Sequence, residues 1–134
     1  MYGALDISTS ALVAQRTRLT VIAANVANKD AILNARGEYE PYRRRFVVFA
    51  TGDPARGSAQ GVHVASIQID QGRLTPKYQP GSPFADADGY VEYPNVDSVV
   101  EQMNALEALR AYEANITAIE ATKSMISVAL QILA

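Results

Sequence analysis

From Ala4 to Asn28 the apolar positions recur at heptad spacing, with Leu5, Leu12, Leu19 and Val26 in one row and Ala4, Ala11, Ile22 and Ala23 beside it. A narrow stripe of this kind predicts a helix, with Gln15, Arg16 and Arg18 lying off the row. Neither proline nor glycine interrupts the chain between Ala4 and Gly37, so the helix is able to run to Asn28-Lys29-Asp30. Its many alanines and short polar residues make a thin seam, better suited to a helical bundle than to covering a sheet.

The other end mirrors this pattern. Ser98-Val99-Val100-Glu101 follows Pro94 and Asn95 and has the spacing of a capping box, which predicts a helix start at Ser98. Val99, Met103, Leu106, Leu109, Tyr112, Ile116, Ile119, Ile126, Leu130 and Leu133 then recur every three or four residues, for the most part. Uninterrupted to Ala134, this helix would be about 55 Å long, more than so small a chain covers by itself. Pairing it with the shorter N-terminal helix leaves about a dozen residues of seam, roughly 18 Å, for other chains to cover.

Between the helices lie seven of the eight glycines and all six prolines, from Gly37 to Pro94. This stretch reads as strands and turns. Candidate strands are Arg45–Ala50, Gly61–Asp70, Leu74–Tyr78 and Tyr90–Tyr93, with Asp88-Gly89 as a tight turn and Ala31–Pro41 as loop. The expected class is α+β: long N- and C-terminal helices in a coiled-coil-like pair, with a small β-rich middle segment. The corresponding divisions are residues 1–29, 30–95 and 96–134.

The chain's 134 residues support a single core, and 49 % apolar against 19 % charged residues is a foldable composition. With no cysteine, disulfides, thiolate nucleophiles and cysteine-held zinc are excluded. A net charge of −2 argues against a dedicated nucleic-acid binder. That charge is unevenly spread, with residues 1–28 at +1, residues 29–78 at +3 and residues 79–134 at −6. A basic middle and an acidic tail favour head-to-tail packing of subunits. Neither a secretory signal peptide nor a membrane span is expected from the apolar runs.

Few residues offer chemistry. His63 is the sole histidine and alternates with valines, the pattern of a half-buried strand residue rather than a catalytic base. Asp86-Ala87-Asp88-Gly89 has the middle of a calcium loop, but Phe84 and Asn95 would occupy its end positions, so a polar turn is the better reading. Arg43-Arg44-Arg45 is the densest charge, and three arginines entering a strand alternate between faces, which favours a protein interface over a phosphate groove. No cofactor is implied.

Several motifs carry a resemblance over nearly the full length. Leu5-Asp6-Ile7-Ser8, Ala14 to Leu19 and Ala24-Asn25-Val26-Ala27-Asn28 resemble the N-terminal motif of the bacterial flagellar axial proteins, the rod and hook group. The narrower similarity is to proximal rod subunits. It rests on Pro41 to Arg45, Gly61 to Ala65, Tyr78 to Gly81, Asp86 to Val91, Tyr93 to Val96, Arg110 to Asn115 and Lys123-Ser124-Met125, in order. The linker Lys29–Tyr39 and the ending Leu130–Ala134 depart from the family's usual Asn- and Thr-rich linker and polar, basic ending.

The resemblance implies a structural, non-catalytic subunit of the periplasmic rod that needs no cleavable signal. Such subunits pass the flagellar type III export apparatus and assemble with copies of themselves, other rod subunits and a basal-body adaptor. The terminal helices would form an inner coiled-coil layer and the middle segment an outer domain. On this reading the assembly interface takes in Leu5, Leu12, Leu19, Ile22, Asn25, Val26 and Asn28, together with Val99, Met103, Leu106, Tyr112, Ile116, Ile119, Ile126 and Leu130. Tyr42, Arg43, Arg44, Arg45, Asp88, Tyr93 and Asn95 would make the contacts of the middle domain. Two other readings compete. A small periplasmic or cell-wall enzyme would have to draw on Asp86, Asp88 and His63, and a coiled-coil adaptor unrelated to flagella leaves the ordered middle motifs unexplained.

Overall fold

The computed structural model describes residues 2–134, with side chains from Gly3 onward. Helix α1 (Tyr2–Ala27) leads through a linker to strands β1 (Arg45–Asp53), β2 (Ser58–Ile69), β3 (Thr75–Tyr78) and β4 (Tyr90–Tyr93), and the chain closes with helix α2 (Ser98–Leu133). This is the α+β arrangement expected, with β1 extended three residues beyond Ala50 and β2 beginning three before Gly61.

The helices run antiparallel. Asn25 meets Glu101, and one turn pair further along Arg18 Nη1 lies 3.5 Å from Glu107 Oε1. Continuing that pairing brings Ala4 level with Thr122. Much of the seam is made of small and polar groups, with Ala14 and Asn25 buried on α1 and Glu101, Ala108 and Thr122 on α2, while the buried Val21 and Ile22 of α1 lie beside β1. Small side chains let two helices approach closely, so the row Leu5, Leu12, Leu19 and Val26 is not the centre of the contact but its half-buried flank.

The capping box is corrected by the structure. Asp97 is the N-cap, with backbone φ −100° and ψ 112°, and its carboxylate accepts from Val99 N and Val100 N. Glu101 does not reach back to Ser98, because its side chain is fully buried and engaged elsewhere.

Strands β1 and β2 form an antiparallel hairpin from Arg45 opposite Ile69 to Asp53 opposite Ser58, with irregularities after Val48 and after Thr51. The hairpin packs on α1 at Gly61. A Cβ there would lie 2.8 Å from Ser10 Oγ, and the backbone φ is +95°, so only glycine fits without strain. Ser10 Oγ accepts from Val62 N at 3.1 Å and donates to Ile7 O. Strands β3 and β4 pair separately, Thr75 opposite Tyr93, around the fully buried Val91.

The Asp88-Gly89 turn is present, but Asp86 closes it, its Oδ1 accepting from Asp88 N and Tyr90 N at 2.9 Å each. The linker is less formless than its sequence. Leu33 bridges Tyr39, and the Tyr39 ring stacks on Phe84 with centroids 5.1 Å apart. The Tyr39 hydroxyl donates to Glu92 O and accepts from Glu92 N, which ties the linker to β4.

Candidate assembly surfaces and the clasp that orients them

Where α1, β1 and α2 meet, Asn25 is buried completely and all four of its hydrogen-bonding positions are used. Its Nδ2 donates to Arg45 O at 2.7 Å and to Glu101 Oε2 at 3.3 Å. Its Oδ1 accepts from Arg45 N at 3.0 Å and from the Tyr42 hydroxyl at 2.8 Å. Burial raises the Tyr42 pKa above its ordinary value, against the opposing pull of Arg45, so the hydroxyl is held as a donor.

Glu101 completes the clasp from α2, its other oxygen accepting from Arg44 Nε. Arg44 N in turn donates to Asn95 Oδ1 at 2.8 Å, and its guanidinium lies 3.8 Å from Asp70. Arg43 donates to Gly72 O at 2.8 Å, and the Arg45 guanidinium lies over the Tyr42 ring. The arginine run thus divides as its alternation requires: Arg44 turns inward to the helix pair, while Arg43 and Arg45 border a groove lined by Tyr42, Leu33 and Ile69. Tyr93 donates to Gln79 and carries Lys77 over its ring, while Asp88 remains in the exposed β3–β4 turn.

The residues read as an assembly stripe on α2 separate into two sets. Tyr112, Ile119 and Ile126 are half-buried on the side of α1. Val99, Met103, Leu106, Ile116 and Leu130 are exposed, Met103 at 67 %. Val99, Met103 and Leu106 fall on one face, opposite Glu101 and Ala108 by helical spacing. Beyond about residue 124 the helix continues past the start of α1, and Met125, Val128, Leu130, Ile132 and Leu133 are exposed along this C-terminal stretch. By length and composition alone α2 is also apolar enough to cross a membrane. Its buried Glu101 and its packing on α1 assign the N-terminal half to the folded unit.

Two of the three residues an enzyme reading would draw on hold structural bonds. His63 Nδ1 lies 2.9 Å from Gly52 O across the hairpin, and Asp86 is occupied by its own turn. Among the described residues no group of three or more His, Asp or Glu side chains is placed to hold a metal. Sequence reading missed Glu101 as a partner of Arg44, and also missed Asp97, Ser10 and Tyr39. Only Asp97 left a local signal, an N-cap residue type before an apolar run.

Comparison with known proteins places this architecture. Residues 5–30 match the model of the flagella basal body rod protein family, and residues 87–132 match that of the flagellar basal body rod FlgEFG protein C-terminal region. The flagellar basal-body rod protein FlgC of Salmonella typhimurium is 48 % identical over 121 residues, covering 90 % of this chain and 88 % of that protein. FlgC of Borreliella burgdorferi is 39 % identical, covering 99 % and 97 %, and FlgC of Bacillus subtilis is 37 % identical, covering 98 % and 97 %. The two matched regions take in nearly all of both helices and both side chains, Asn25 and Glu101, through which the helices meet. With ends and middle matched in relatives of one kind, the chain belongs to the FlgC family of flagellar basal-body rod proteins.

Proposed function

We propose that the chain is a non-catalytic structural subunit of the proximal rod, passed through the flagellar type III export apparatus and built into a torque-transmitting shaft in the periplasm. It works by burying the outward faces of its terminal helices against copies of itself, other rod subunits and the basal-body adaptor. The observation that carries this reading is the placement of large aliphatic side chains on α2. Val99, Met103 and Leu106 face away from α1 and are exposed, while Ala108, Thr122 and the buried polar clasp, flanked by the half-buried Tyr112 and Ile119, face toward it. A contiguous row of exposed large aliphatics on a helix marks a surface to be covered by another chain.

A shaft needs contacts that do not close on themselves, and two different surfaces on one subunit supply them. The clasp contributes orientation, because Asn25, Arg44 and Glu101 fix the middle segment to the helix pair by directional bonds. The Leu5–Val26 flank and Ile22, Asn25 and Asn28 belong to the same surface-building helix, and Asn28 Nδ2 donates to Ala24 O near the end of α1.

The discriminating experiment replaces His63, Asp86 and Asp88 together by Ala in cells whose own copy is deleted. Swimming and recovery of the variant in isolated basal bodies are the expected results. Loss of swimming with normal incorporation would point to a reaction and overturn the structural reading.

A further inference from the structure

Sulfur is the side-chain atom most readily oxidised by hydrogen peroxide and other hydroperoxides. The chain has no cysteine, so its sulfur is confined to three methionines, Met1, Met103 and Met125. Met1 lies outside the described residues. The other two are both on α2 and both open to solvent, Met103 at 67 % and Met125 at 58 %. About six turns of helix separate them, which returns Met125 to within about 40° of the side that Met103 occupies.

That side is turned away from the buried seam. Met103 lies between Val99 and Leu106 at helical spacing, and Met125 stands one turn before Val128, all of them exposed. Both thioethers are therefore within reach of a dissolved oxidant while the chain is free, and both are shielded once this face is covered. The residues that α2 buries are Glu101, Ala108 and Thr122, so a change at either sulfur leaves the helix pair and the clasp in place.

In the reaction with hydrogen peroxide the sulfur lone pair attacks one peroxide oxygen and the O–O bond breaks. The sulfur is oxidised by two electrons and keeps that oxygen as a sulfoxide, while the other oxygen is reduced and leaves as water. An apolar side chain has then become a polar one with a strong acceptor. Water satisfies that acceptor on the free chain. In an apolar contact it has no donor, and stranding such a group weakens the contact by about ten-fold or more. Reductases specific for each sulfoxide epimer restore the thioether.

We propose that Met103 and Met125 form an oxidation-sensitive gate on the outward face of α2. As thioethers they let neighbouring subunits cover that face; as sulfoxides they keep the folded chain out of the shaft until they are reduced. This rests on the rod-subunit reading and names a regulation of its helix face.

Purified full-length chain treated with hydrogen peroxide should gain one oxygen at each of Met103 and Met125 by peptide mass spectrometry, with its circular dichroism and urea midpoint unchanged. Resistance of both sulfurs, or loss of the fold on oxidation, would overturn the gate. In cells given a peroxide pulse, chains recovered in basal bodies should carry about ten-fold less sulfoxide at the two positions than chains outside them. Equal sulfoxide in the two pools would contradict the proposal and leave the rod reading standing. Met103→Leu with Met125→Leu removes both sulfurs at exposed positions, and its entry into basal bodies should be the same with and without the pulse, while entry of the parent chain falls. A fall in the variant equal to that of the parent would place the oxidation effect elsewhere and sink the gate. Absence of the untreated parent chain from basal bodies would instead overturn the rod reading, and the gate with it.

Discussion

The side-chain amide of Asn25 bonds both the N–H and the C=O of Arg45, standing where the next strand of a sheet would stand. One helical residue thereby caps the edge of β1 and holds the sheet to the helices. Its remaining donor and acceptor reach Glu101 and Tyr42, so a single buried group couples α1, α2 and the middle segment.

Replacing Asn25 by Ala strands several of these buried groups at once. The expected loss is about 2–4 kcal/mol of unfolding free energy, read from urea denaturation. Asn25→Asp should be no milder, because a carboxylate accepts from Arg45 N but cannot donate to Arg45 O and lies against Glu101.

The ion pairs should sort by burial. Glu101→Ala removes a fully buried carboxylate and leaves Arg44 only its longer 3.8 Å pairing with Asp70, and a loss of about 3 kcal/mol is expected, the low end for such pairs because the arginine is partly exposed and keeps that second carboxylate. A Glu101→Leu, Arg44→Met double variant should recover much of that loss. Arg56→Ala, which breaks exposed pairs to Asp6 and Asp53, should leave the denaturation midpoint where it was.

Alkaline pH should weaken the fold. Burial raises the pKa of Tyr39 and of Tyr42 above 10.0. Folding therefore favours their protonated forms, and the unfolded chain gives up these protons first. Their contribution is complete below about pH 10 and declines as the pH rises past it. Tyrosinate absorbance should show late-titrating groups in the folded protein, one fewer after Tyr42→Phe, and none delayed in denaturant.

How much of this was written in the chain divides along local and distant causes. Both helices were legible because no proline or interior glycine interrupts Ala4–Asn28 or Ser98–Ala134, and Tyr90–Tyr93 because its alternation lies between turn residues. Glu101 was read as a capping residue because Ser98 and Glu101 have the right spacing, yet its side chain is claimed by Arg44, far away in sequence. The Tyr39 contact with β4 was invisible for the same reason. On α2 the apolar rows were visible but not their division, since large aliphatics follow helical spacing whether they face a neighbouring helix of the same chain or of another.

Assembly through buried helix faces depends most directly on the outward face of α2. Met103→Asp and Leu106→Asp alter exposed positions, so each variant should keep the helical circular dichroism of the parent and a stability within about 0.5 kcal/mol of it. In cells lacking the native copy, neither should be recovered in isolated basal bodies and neither strain should swim. Full incorporation with normal swimming would show that this face meets nothing, and would contradict the claim that the helices are built to be buried between subunits.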